Sequence, residues 1–155
     1  MTSLAWRNRT KLPCMCGRFK HCDLIDLVAG CPTSVGAGAV ARPAFHFVCL
    51  PVEDLEKNFV PARRKSPRRK LRPEDECRAC GISVYDSEAQ ARATFHYLQH
   101  GHPNAPIKVG THLAVAQLTE QHGESVVSDD NGHFTFFEYA DADASSAFRL
   151  FGELR

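Results

Sequence analysis

Asp129-Asp130-Asn131-Gly132-His133-Phe134-Thr135-Phe136-Phe137-Glu138-Tyr139 is the stretch whose reading decides the fold class. Its first four residues form the clearest turn signal in the chain, because Asp and Asn bond their own backbone and Gly tolerates a positive φ. An aromatic and β-branched run follows at once, as expected of a strand. Alternation places Phe134, Phe136 and Glu138 on one face, and His133, Thr135, Phe137 and Tyr139 on the other.

Working outward, His112–Leu118 reads as the strand before this one, with a turn at Gly123. Gly81–Tyr85 reads as a shorter strand. Asp86 or Ser87 then caps a helix over Glu88–His100, whose Ala91, Phe95 and Leu98 share a face. Gly101 and Pro103 end it. Ala44–Leu50 is the first strand, and Pro51–Phe59 reads as a short helix with acids in its first turn. A last short helix or strand falls near Ser145–Phe151. The fold class expected is α+β: a small mixed or antiparallel sheet, split or continuous, of about four to six strands with one or two helices. Residues 44–155 form that domain, with a basic loop at 61–76. Residues 1–43 are expected to be a poorly ordered, cysteine-containing segment, because the small residues of 33–39 offer little bulk against a high entropy cost.

The net charge of +1 conceals an asymmetry, with 15 Lys and Arg against 8 Asp and Glu in residues 1–80, and 4 against 10 in residues 81–155. The halves could attract each other, or the basic half could meet an acidic partner. No secretion signal or membrane span is read, so the expected location is cytoplasmic. Seven cysteines, an odd count without a leader, point to reduced thiols or a metal site rather than a disulfide framework.

Three constellations could carry chemistry. Cys77 and Cys80 form a CxxC pair able to grip zinc, with Cys14, Cys16, His21, Cys22 and Cys31 as the available completing ligands. His96, His100 and His102 lie at metal-binding helical spacing, but no Glu stands where a zincin-type peptidase needs one. Arg63, Arg64, Lys65, Arg68, Arg69, Lys70 and Arg72 offer phosphate contacts for non-specific nucleic-acid binding, with no aromatic residue for base stacking. Neither a dinucleotide-binding glycine fingerprint nor a Gly-x-Ser-x-Gly nucleophile elbow is present.

The segment order carries a resemblance. Phe45-His46-Phe47-Val48, Gly81-Ile82-Ser83-Val84-Tyr85-Asp86-Ser87 with Ala89-Gln90-Ala91-Arg92, His112–Leu118 and Gly132–Phe137 together resemble a group of small bacterial proteins. More distantly, the layout is similar to the ADP-ribosyltransferase fold. That resemblance implies NAD as cofactor, held by His46, Ser83, Tyr85 and His133. It implies His46, Tyr85 and Glu138 as catalytic residues: His46 on a ribose hydroxyl, Tyr85 stacked on nicotinamide, and Glu138 supplying charge if its strand bends it inward. A toxin or defence component fits this class. The rival readings are a non-enzymatic interaction protein of antitoxin, immunity or inhibitor type, and a small zinc-stabilised nucleic-acid-binding module.

Overall fold

The computed structural model describes residues 17–155. In chain order its elements are α1 (Cys22–Ile25), β1 (Arg42–Val48), α2 (Ala62–Lys65), α3 (Pro73–Glu76), β2 (Ile82–Tyr85) and α4 (Glu88–Gly101), then α5 (Ala105–Val109), β3 (His112–Leu118), β4 (Gly123–Ser125), β5 (His133–Glu138), α6 (Ala144–Ala147) and β6 (Arg149–Glu153). The strands form one open antiparallel sheet in the order β4-β5-β2-β1-β3-β6. The α+β class therefore holds, and the sheet is antiparallel. Its central seam is thin: β1 and β2 register only at Phe45↔Tyr85, whereas β1 and β3 register along the whole of β1.

Period-2 alternation gives the sheet two different faces. One carries Ala44, Val48, Ile82, Val84, Ala114, Ala116, Phe134 and Phe136 against Phe59 and Phe148. On the other, α4 lays Ala91 and Phe95 over Phe47, Tyr85 and Leu113. Ser87 caps α4 by accepting from the Gln90 amide at 3.2 Å. Farther along this second face, Phe137 and Tyr139 meet Phe19, Ile25, Cys77 and Cys80.

That last cluster corrects the expectation for the part of 1–43 that is described. Residues 17–41 pack on the domain: Ile25 is buried, Phe19 bridges to Tyr139, and Gly38 exchanges backbone hydrogen bonds with Ser125 at 3.0 and 2.8 Å. The small-residue run is held by main-chain bonds, which need no side-chain bulk. Expectations for residues 1–16, including Cys14 and Cys16, lie outside the described residues.

Two further expectations change. Pro51–Phe59 forms turns instead of a helix. The buried Asn58 side chain accepts from the Cys49 amide at 2.7 Å and donates to the carbonyls of Cys49, Pro51 and Val52. A side chain thus takes the carbonyls that helical amides would have used. The basic loop is also folded, into α2 and α3, because carboxylates meet its charges. Arg63 pairs with Glu76 and donates to the carbonyls of Pro67 and Arg69. Arg64 forks onto both carboxylate oxygens of Asp23, at 2.8 and 2.9 Å. Arg72 reaches Asp75 at 2.8 Å. Among the described residues, no helix is long and apolar enough to cross a membrane.

Candidate functional site

β2 and β5 place the polar residues of interest. Their register sets Ser83 opposite Thr135 and Tyr85 opposite His133. All four side chains therefore belong to the second face of the sheet. Tyr85 is buried beneath α4, its ring 5.1 Å from that of Phe47 and edge-on to His133 at 5.4 Å. Ser83, Thr135 and His133 line an open cleft of about 700 Å³. Its walls are the Val35–Gly36 turn of the N-terminal segment, Arg69 and Asp75 of the basic region, Arg78 just beyond it, and residues 126–129, which include Asp129.

Within the cleft, Ser83 Oγ is hydrogen-bonded to His133 Nε2. The other ring nitrogen, Nδ1, lies 3.7 Å from Asp129 Oδ2. Asp129 is itself anchored. Its Oδ1 accepts from the amides of Asn131 at 2.8 Å and His133 at 3.0 Å, and its amide donates to the His133 carbonyl at 2.8 Å. Burial holds the His133 imidazole below the ordinary histidine range; Asp129 opposes this and Arg78 adds to it. The ring is therefore neutral at neutral pH and able to accept a proton.

The structure brings together only part of the set named from sequence. Ser83 and His133 meet in the cleft. Tyr85 lies behind them as core: burial pushes its phenol up to about 12, and its faces are covered by protein. His46 is on the opposite face, buried, with its ring stacked on Phe59 at 4.9 Å. Its Nδ1 donates to the Ser83 carbonyl at 2.8 Å, and its Nε2 accepts from the Phe59 amide at 3.3 Å. With both nitrogens engaged inside the core, His46 has none to offer a ribose. Glu138 sits at the far end of β5, buried and 3.4 Å from Lys20. Burial raises its carboxyl above the usual range, and Lys20 opposes the shift. It reaches neither Ser83 nor His133, since it lies on the opposite face of the sheet, five residues along the strand from His133 and three from Thr135, the partner of Ser83.

The cysteine pair is divided. Cys77 is bonded to Cys31, with Cα atoms 5.6 Å apart, so this thiol is not reduced as expected. Cys80 is buried with its sulfur 3.5 Å from the Leu24 carbonyl, and burial raises its pKa. Among the described residues, no group of three or more potential ligands is placed to hold a metal. His96, His100 and His102 are exposed on and after α4. In the basic run, Arg63, Arg64 and Arg72 engage carboxylates, while Lys65, Arg68, Arg69 and Lys70 are exposed.

Asp129 and Arg78 were not singled out from sequence. Asp129 had a signal: the first Asp of a turn commonly turns its carboxylate onto the amides that follow. That places it beside the residue four positions on. Arg78 had none beyond its position between two cysteines. No protein-family model matches the chain, and no curated protein or solved structure matches it.

Proposed function

We propose that the chain binds a nucleotide-class anion, with NAD the candidate cofactor, in the Ser83–His133 cleft. The observation that carries this reading is the meeting of Ser83 and His133 on the floor of a cleft whose walls include Arg69 and Arg78. Hydroxyl and imidazole suit ribose or amide groups, and guanidinium groups suit a pyrophosphate, which they grip with paired hydrogen bonds. The volume is within the range that small-molecule sites use.

Binding is favoured over ADP-ribosyl transfer. The carboxylate expected to steer transfer, Glu138, is buried against Lys20 at the other end of its strand, and His46 belongs to the core. The interaction-protein and zinc-module readings gain no comparable support, as Cys77 is engaged by Cys31 and three of the seven cations of the basic run by the chain's own acids.

The test is calorimetric titration of the folded protein with NAD and with ADP. Saturable binding is expected, weakened at least about tenfold in Arg78→Gln through loss of a charge-assisted contact. A folded protein that shows no binding of either nucleotide at millimolar concentration would sink the proposal.

A further inference from the structure

His133 lies between Ser83 and Asp129. The serine oxygen meets one ring nitrogen, and the aspartate oxygen lies 3.7 Å from the other. Ser83 is exposed to the cleft, while His133 has a side chain 31% accessible, open enough to exchange protons and covered enough to lose most of its water. Asp129 cannot swing away, because its second oxygen is tied to two amides. From behind, the edge of the Tyr85 ring fixes the imidazole. Such an array is what a serine needs to act as a nucleophile: a base in contact, and a group that orients the base. It arises here on a strand and a turn, so the missing nucleophile elbow in the sequence does not bear on it.

We infer that Ser83 is a nucleophile and His133 its general base, with Asp129 a positioning residue, acting on carboxylic esters whose alcohol part carries phosphate. The reaction class uses the same cleft, with Arg69 and Arg78 in its walls, and so rests on the reading above for its phosphate-bearing substrate, although the acyl chemistry itself does not require it. Ser83 Oγ forms a bond to the acyl carbon as its proton passes to His133 Nε2. The tetrahedral adduct collapses, the bond from acyl carbon to alcohol oxygen breaks, and that oxygen takes the proton from Nε2. Water then attacks the acyl-serine, giving its proton to Nε2. The acid leaves, and Ser83 Oγ recovers the proton. Arg69 and Arg78, the guanidinium groups in the cleft wall, hold the phosphate.

The experiment is acetylation of the full chain by 4-nitrophenyl acetate, followed by intact mass and peptide mapping, with and without ADP. An acetyl group on Ser83 is expected, absent in Ser83→Ala, formed at least about a hundredfold more slowly in His133→Gln, and suppressed by ADP. Circular dichroism checks the fold of each variant, and the exposure of Ser83 makes its alanine variant the safer one. In Asp129→Asn the amide oxygen still accepts the turn's hydrogen bonds, while the charge that raises the His133 pKa is gone. The midpoint of its acetylation rate against pH is therefore expected to move to lower pH, whereas a purely structural Asp129 would leave it in place. If ADP binds and Ser83 stays unmodified, the nucleophile inference is overturned and the binding proposal stands. If Ser83 is acetylated and ADP neither binds nor protects, the nucleophile stands and the nucleotide reading falls. Acetylation confined to lysines and unchanged in Ser83→Ala also overturns the inference.

Discussion

His46 couples stability to pH. Burial lowers its pKa from 6.5 to about 4. In the folded chain the ring stays neutral, with Nδ1 donating and Nε2 accepting. The unfolded chain takes up a proton near pH 6.5, which the folded chain refuses until about 4. The stabilising contribution is thus complete above 6.5 and is lost as pH falls to about 4, for a total of about 3 kcal/mol at 1.36 kcal/mol per unit. Glu138 works the other way: its raised carboxyl favours the folded state as pH falls. The His46 share is therefore read as a difference. Urea unfolding from pH 7 to 4 is expected to show a steeper loss in the wild type than in His46→Ala. At pH 7 the variant is expected to be less stable by about 3 kcal/mol, through a cavity and an orphaned Phe59 amide. ADP binding by the folded variant is expected to be unchanged. Phe59 adds to the cost, because its backbone holds a left-handed φ of 56° that the His46 contact helps to fix.

At the scale of the element, the turn before β5 decides whether the cleft is built. Gly132 has φ +71°, and a Cβ there would meet Asp86 Oδ1 at 2.5 Å and the Gln90 side chain at 3.0 Å. Gly132→Ala is expected to lose about 1–2 kcal/mol in urea unfolding, from left-handed backbone alone. Crowding adds to that, and the variant should weaken ADP binding by displacing Asp129 and His133. Most of the strands were legible because alternation and turn residues are local signals: β3 matches its expected bounds and β5 differs by one residue, whereas β4 lies where only a turn at Gly123 was expected. The Pro51–Phe59 helix was misread because Asn58, a single polar side chain, gathers the carbonyls of the segment from inside the core. Sequence periodicity carries no trace of such a reach. The site was half legible for a similar reason. Ser83 and His133 share a face through strand pairing, while His46 and Glu138 fall on the other by the same period-2 rule.

For the whole molecule, the disulfide fixes how far the N-terminal segment belongs to the domain. Cys31 and Cys77 are 46 positions apart, and closing a loop of that length removes denatured-state entropy worth up to about 4 kcal/mol. Reduction, or Cys31→Ser, is expected to lower the melting temperature. It should also weaken ADP binding by loosening the Val35–Gly36 wall of the cleft, and an unchanged affinity under reductant would show that this wall is dispensable. Among the described residues, three ion pairs offset part of the charge asymmetry within the fold. Arg18, Lys20 and Arg42 meet Glu124, Glu138 and Asp86 across the two halves of the chain, while Arg63 and Arg64 find acids in their own half. The seam between β1 and β2 has a last consequence. A sheet paired there at one position behaves as two half-ladders, β4-β5-β2 and β1-β3-β6, sharing a hinge line that the His46 ring bridges. A rotation about that line would change the angle between the half-ladders while keeping the pairing within each. The Ser83–His133 pair rides wholly on one of them and is tied to the other through the Ser83 carbonyl, by His46.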